Sequence, residues 1–184
     1  IQWRLHEGKE HGIKAEHVPD DVDLVIVPDA GSSDYEEHKK LYNKGINIIV
    51  LDHHLTDKES QHAIVVNNQI APEFPNKNLS GVGVVFKFLE ALDNRLGIKK
   101  AKNYLDLVAL GIVGDVMDLR ELENRYYIAQ GLQNLKNPML KEMFKELEYS
   151  TKGQRNPMVL GWYISPLINA VIRSGTMQEK EQVF

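Results

Sequence analysis

The sequence predicts an α/β fold, a parallel β-sheet flanked by helices with a helical C-terminal part, and three observations predict it. Residues 23–27 and 46–51 are short apolar runs of the kind that form buried strands, and each ends at polar or turn-forming residues. Between them lies a charged stretch with helix start and stop signals, giving one strand-helix-strand unit. From Ser80 onward the apolar residues recur at steps of three and four, the helical spacing.

The first run, Asp23-Leu24-Val25-Ile26-Val27, stops at Pro28-Asp29-Ala30-Gly31. In the helix that follows, Asp34 is placed to cap the start, Glu36, Glu37, Lys39 and Lys40 form a solvated face, and Gly45 stands where a glycine stop belongs. The second run, Ile46 to Leu51, leads into Asp52. A right-handed crossover makes the two strands parallel, so their carboxyl ends emerge at one edge of the sheet. Asp29 and Asp52 follow those ends, where open parallel sheets bind ligands.

A third strand is expected over residues 63–67, followed by a Pro-bearing surface loop over 69–78. Val82, Val85, Phe86, Leu89 and Leu92 mark a helix between a Ser80 cap and a Gly97 stop. Another runs through Tyr104, Leu105, Val108, Ala109, Ile112 and Val113 toward Asp115. Its Gly111 and Gly114 cost helix stability, so they point to close packing or to a break just before Asp115. Residues 122–135 and 139–147 read as two more helices separated by Asn137-Pro138. Residues 151–157 read as a hinge, and residues 160–175 begin something new. The expected organisation is a core at 1–150 and an arm at 151–184 directed toward a further domain. The opening Ile1-Gln2-Trp3-Arg4-Leu5 reads as a strand, which suggests a fragment of a longer protein with Phe184 at its cut end.

Composition narrows the chemistry. A chain of 184 residues with 42% hydrophobic content, 7 Pro and 13 Gly can bury a core of its own. It contains no cysteine, so any metal must be held by oxygen and imidazole nitrogen. That absence fits the cytoplasm, and no apolar run approaches a membrane-spanning length. The net charge of −4 argues against a strongly basic nucleic-acid-binding domain, an objection weakened where acidic side chains are metal ligands.

Asp52-His53-His54 is the sharpest local feature. Alternation in an extended segment points the two imidazoles in opposite directions, so that one can meet a metal while the other faces substrate. The plainer alternative is a polar turn with satisfied histidines. Asp29 adds a carboxylate at the same edge, a mixed oxygen and nitrogen set that suits a hard or borderline divalent ion; alone, it reads as a turn residue. Asp115, in an apolar stretch, needs a partner or a metal, and Asp118 competes for the same role.

In order, Val27-Pro28-Asp29-Ala30-Gly31, Val50-Leu51-Asp52-His53-His54, the segment Ser80-Gly81-Val82-Gly83-Val84-Val85-Phe86-Lys87 and the segment from Val108 to Val116 resemble successive motifs of the DHH phosphoesterase superfamily. The glycine-rich helix start with its Phe86-Lys87 is most similar to RecJ-like single-strand DNA exonucleases. The resemblance runs from the first strand to about Asn137. It implies a phosphodiesterase that uses two Mn2+ (or Mg2+) ions and degrades single-stranded DNA from its 5′ end, in DNA repair and recombination. It also implies Asp29, His53 and Asp115 as metal ligands and Asp52, His53 and His54 as the catalytic triplet. Asp52 would support the histidines and His54 would face the scissile phosphate.

Three departures accompany the resemblance. Nothing upstream of Asp29 matches the family's aspartate-rich motif, since Asp20, Asp21 and Asp23 form only a solvated approach to a strand. The segment Ser165 to Arg173 is similar to one that joins the two RecJ domains, but Leu167 stands where arginine is usual. Asn169 and Arg173 are its candidate substrate contacts, against an amphipathic linker helix with Trp162 and Ile168 packed inward. The substrate-binding second domain is absent from the sequence. Asn124-Arg125 also looks RecJ-like, with helix capping and a surface ion pair as the favoured roles. Two further readings stay open: a DHH phosphodiesterase for short oligonucleotides or cyclic dinucleotides, and a catalytically degenerate nucleic-acid-binding module.

Overall fold

The structure, a computed structural model, describes residues 1–6 and 11–183. Phe184, the expected cut end, lies outside the described residues. Three strands, β1 (Leu24–Pro28), β2 (Asn47–Asp52) and β3 (Ile64–Asn67), form a parallel sheet in the order β1-β2-β3. Its register pairs Pro28 with Leu51 and Asp52 with Asn67, so all three carboxyl ends share one edge. Helix α1 (Tyr35–Asn43) crosses from β1 to β2. The later helices are α2 (Gly81–Leu96), α3 (Leu105–Gly114), α4 (Leu122–Gln133) and α5 (Pro138–Glu146). Short α6 (Glu148–Thr151) precedes a continuous helical run made of α7 (Pro157–Val159), a π-helical stretch (Leu160–Ile164) and α8 (Ser165–Ser174), and α9 (Met177–Val183) follows. No described helix is long and apolar enough to cross a membrane.

The sheet separates two cores. Alternate β2 residues, Ile48 and Val50, pack with Val27, Leu41, Ile13 and Ala15 on the α1 side. Leu51 faces the other way, into a larger core with Val84, Phe86, Val108, Ile112, Ile128, Leu140 and Phe144. Val159, Leu160 and Ile164 belong to that same core, so the chain beyond residue 151 begins by packing on the helices before it.

Several local expectations are corrected. Residues 1–5 form no strand, because none of the three strands pairs with them. Strand β1 is buried on one face only: it is an edge strand, and Leu24 and Ile26 stay exposed. In α2, Val84 is fully buried and Leu92 exposed, because the core meets only the first turns of the helix. Trp162 does not pack inward; it is 78% exposed, whereas Ile168 does pack against the core. Asp34 stands at the cap position of α1 but accepts the backbone N–H of Ile13 at 2.7 Å instead of capping.

Helix α3 ends in an instructive way. A Cβ on Gly111 would overlap Val82, which explains that glycine as close packing between α2 and α3. The helix also ends where the glycines suggest, at Gly114, just before Asp115. The N–H of Met117 donates to the Ile112 carbonyl at 3.0 Å and that of Val116 to the Val113 carbonyl at 3.2 Å, closing the helix around Asp115. Glycine usually fills the left-handed position of such a cap, but Val116 fills it here, at φ 55°. A β-branched residue in this region is strained by about 1–2 kcal/mol. Replacing the exposed Val116 by glycine is therefore expected to raise the unfolding free energy by about 1 kcal/mol, read from chemical denaturation.

Candidate metal centre

The carboxyl edge of the sheet is organised by Asp52, the last residue of β2 and only 1% exposed. One oxygen accepts the backbone N–H of His53 at 2.8 Å, the backbone N–H of His54 at 3.2 Å and His54 Nδ1 at 2.7 Å. The other accepts the N–H of Ser32, from the loop after β1, at 3.0 Å. Burial acts to raise the Asp52 carboxyl, but the His54 side chain, Ser32 and the His54 backbone outweigh it and hold it at about 2.

This wrapping changes the orientation expected of the histidines. Because the chain turns around Asp52 and does not stay extended, the two imidazoles lie on the same side, with ring centroids 4.5 Å apart. His54 gives Nδ1 to Asp52, which leaves Nε2 as its outward nitrogen. His53 Nε2 lies 3.4 Å from Asp29 Oδ1. Asp29, His53 and His54 each offer a ligand atom, and these atoms all lie within 4.8 Å of one another.

Asp29 reaches this point by a strained turn. Its N–H still pairs with the Leu51 carbonyl at 2.8 Å, but its own φ is 60°, which swings the chain out of the strand. Gly81, the first residue of α2, makes room for it: a Cβ there would overlap the Asp29 carboxylate. Burial raises the Asp29 carboxyl, and the charge of Asp115 raises it further, while His53 and His54 act in the opposite sense. Asp115, raised by burial, faces the two histidines from the end of α3 but stands outside the three-residue cluster. The donor set fits a divalent ion: carboxylate oxygen from Asp29 with imidazole nitrogen beside it suits a hard or borderline cation, and a cation would offset the charge that Asp115 imposes on Asp29.

The remaining candidates separate clearly. Asp118 is held by Arg120, whose hydrogen bonds keep its carboxyl at about 2, so it does not compete with Asp115. Asn169 and Arg173 are exposed on α8, which starts beside the last turn of α3, where Ser165 lies against Gly114. Asn124 is not a surface cap. It is fully buried, donating to the carbonyls of Asn78 at 2.8 Å and Asp118 at 3.0 Å and accepting from Asn76 at 3.0 Å. It thereby ties the loop after Asp115 to the loop before α2. Arg125 is exposed and makes no ion pair among the described residues. Lys87 pairs with Glu123 at 3.0 Å, a structural use.

Sequence reasoning missed Ser32 and Asn67. Asn67, 1% exposed, donates to Ser32 Oγ and to the His54 carbonyl, both at 2.8 Å. The available signal was a polar residue closing an apolar strand, in register with Asp52.

Two outcomes are expected. Asp52 is depressed from 3.8 to about 2, so its contribution to stability is present above pH 4 and is lost as pH falls through 2. Across that window the difference in unfolding free energy between the native chain and Asp52→Asn should shrink by about 2 kcal/mol, measured by denaturant titration at several pH values. Gly81→Ala should displace Asp29 and weaken Mn2+ binding by about ten-fold in calorimetry, with little loss of helix content.

Comparison with known proteins identifies the family and the fold. A model of the DHH family, N-terminal domain, matches residues 4–112. Over its whole length the chain is 50% identical to a Bacillus subtilis (strain 168) protein named as an SPbeta prophage-derived single-strand DNA-specific exonuclease, YorK, and covers 32% of it. It is 31% identical to the single-stranded-DNA-specific exonuclease RecJ of Thermus thermophilus over 97% of this chain and 27% of that protein. A crystal structure of exonuclease RecJ bound to manganese superposes with a TM-score of 0.76 at 30% identity, covering 91% of this chain and 43% of that one. A crystal structure of RecJ from Thermus thermophilus in complex with Mn2+ gives a TM-score of 0.67 at 25% identity, covering 88% of this chain and 26% of that one. The chain spans about a third of the length of the curated relatives it matches.

Proposed function

The chain belongs to the DHH family, and we propose that it is the metal-binding portion of a metal-dependent phosphodiesterase that hydrolyses single-stranded DNA from the 5′ end. The observation that carries this reading is the convergence of Asp29, His53 and His54 at the carboxyl edge of the sheet, around a fully committed Asp52. The names of the relatives, single-strand DNA-specific exonucleases, support the substrate, and the manganese-bound structures support the ion.

In this proposal Asp29, His53 and Asp115 hold Mn2+ (or Mg2+), two ions in the complete protein, and His54 turns Nε2 toward the scissile phosphate. The chemistry such ions supply is stabilisation of charge at the phosphate and activation of water. What the chain itself contributes is placement. Asp52 fixes the tautomer and orientation of His54, and Gly81 admits the Asp29 carboxylate. Asn169 and Arg173 contact the strand from α8. The proposed organisation is a unit at residues 1–150 and an arm at residues 151–184, seated on that unit's core through Val159, Leu160 and Ile164, toward a further domain. A cytoplasmic setting and a part in DNA repair and recombination go with this substrate.

The full-length protein with Mn2+ is expected to shorten 5′-labelled single-stranded DNA from the labelled end and to act poorly on dinucleotides and cyclic dinucleotides. His53→Ala and Asp115→Ala should each lower kcat/KM by roughly 100-fold or more. Undiminished turnover in both variants, or a preference for cyclic dinucleotides, would overturn the proposal.

A further inference from the structure

We propose that His11 is a second phosphate contact beside His54, touching the substrate strand and not the metal ions. The assignment rests on the reading of the site as a phosphodiesterase centre, and it adds a residue that neither the motifs nor the ligand cluster includes.

His11 is far from His54 in sequence, yet the two rings meet edge to face, with centroids 5.2 Å apart and planes at 83°. With His53 a further 4.5 Å along, three imidazoles form a row that leads out of the cluster. The segment bearing His11 is fastened to α1. The N–H of Ile13 donates to Asp34 Oδ2 and that of Ala15 to Glu37 Oε2, both at 2.7 Å. Gly12 adopts φ 83° and leaves no room for a side chain, because a Cβ there would overlap the Asp34 carboxylate. His6, next in the row at 6.2 Å, uses Nε2 on the Gly12 carbonyl at 2.8 Å. The His11 ring is exposed, and among the described residues its nitrogens make no hydrogen bond or ion pair.

The chemistry follows from what His54 lacks. With Nδ1–H given to Asp52, His54 turns a single nitrogen, Nε2, outward, and that nitrogen can donate to one phosphate oxygen only in the imidazolium form, whereas a phosphodiester presents two non-bridging oxygens. A neutral imidazole always carries one N–H, so His11 can donate to the second oxygen without a change of charge. The cluster of possible ligands closes at Asp29, His53 and His54 without it.

The test uses full-length protein carrying His11→Ala, His11→Phe or His11→Asn, with Mn2+ and 5′-labelled single-stranded DNA, and with inorganic phosphate as competing ligand. Loss of one hydrogen bond to a charged group should raise KM, and the inhibition constant of phosphate, about ten-fold in both the Ala and the Phe variants. Asn, which keeps an N–H donor, should recover most of the loss, while kcat stays within about three-fold and calorimetric Mn2+ affinity is unchanged. Wild-type KM in His11→Phe would reduce the residue to ring packing and overturn the assignment, as would weakened Mn2+ binding in His11→Ala. Should the wild type leave single-stranded DNA intact, the reading of the whole site falls. Phosphate binding to the manganese-loaded protein then still judges His11, and equal affinity in wild type and His11→Ala refutes it.

Discussion

The Asp52 carboxylate is the contact on which the rest of the molecule's edge depends. It sits at the end of the central strand, out of water, and gathers hydrogen bonds from the loop after β1 and from both histidines that follow it. A buried carboxylate survives only when donors replace its hydration, so this one folds the neighbouring segments around itself. The consequence is geometric. His53 and His54 leave the strand in a turn, and Asn67, from the adjacent strand end, holds the turn by its carbonyl.

Around that point the fold accepts local strain in return for placement. Asp29 and Val116 both occupy the left-handed region, one in the ligand cluster and the other next to Asp115. Each is held by backbone bonds: Asp29 by its N–H to Leu51, Val116 by the closing turn of α3. Strain of order 1–3 kcal/mol per residue persists only where the surroundings hold it, and two of the three described non-glycine residues in this region stand at or beside the cluster, the third, Lys152, ending α6. Gly81 and Gly111 serve the same end by letting Asp29 and Val82 approach the helices closely.

The acidic balance of the chain is less of an obstacle to a nucleic-acid substrate than its net charge suggests. Several carboxylates are consumed internally: Asp52 by backbone and His54, Glu123 by Asn76, Lys87 and Tyr127, and Asp106 by the N–H groups of Lys136 and Asn137. Asp29 and Asp115 face the cluster, where bound cations would reverse the local sign.

Much of this was legible in the sequence. Short continuous apolar runs, the intervening charged helix and the glycine stops located the three strands and the long helices. The parallel crossover rule then put Asp29 and Asp52 at one edge without any knowledge of packing. The ordered motifs pointed to the DHH family, to which the chain belongs. Local pattern failed where the outcome depended on neighbours distant in the chain. The exposure of Trp162 and of one face of β1 was set by what lies beside them, and the burial of Asn124 by two loops that meet only in the fold. So too for the site. The sequence by itself determined which carboxylate and histidines share an edge, because strand direction follows from connectivity. Only the tertiary structure decided that both imidazoles turn the same way, that Ser32 and Asn67 hold them, and that His11 stands against His54. Those facts arise from hydrogen bonds and ring contacts between segments that no spacing in the chain encodes.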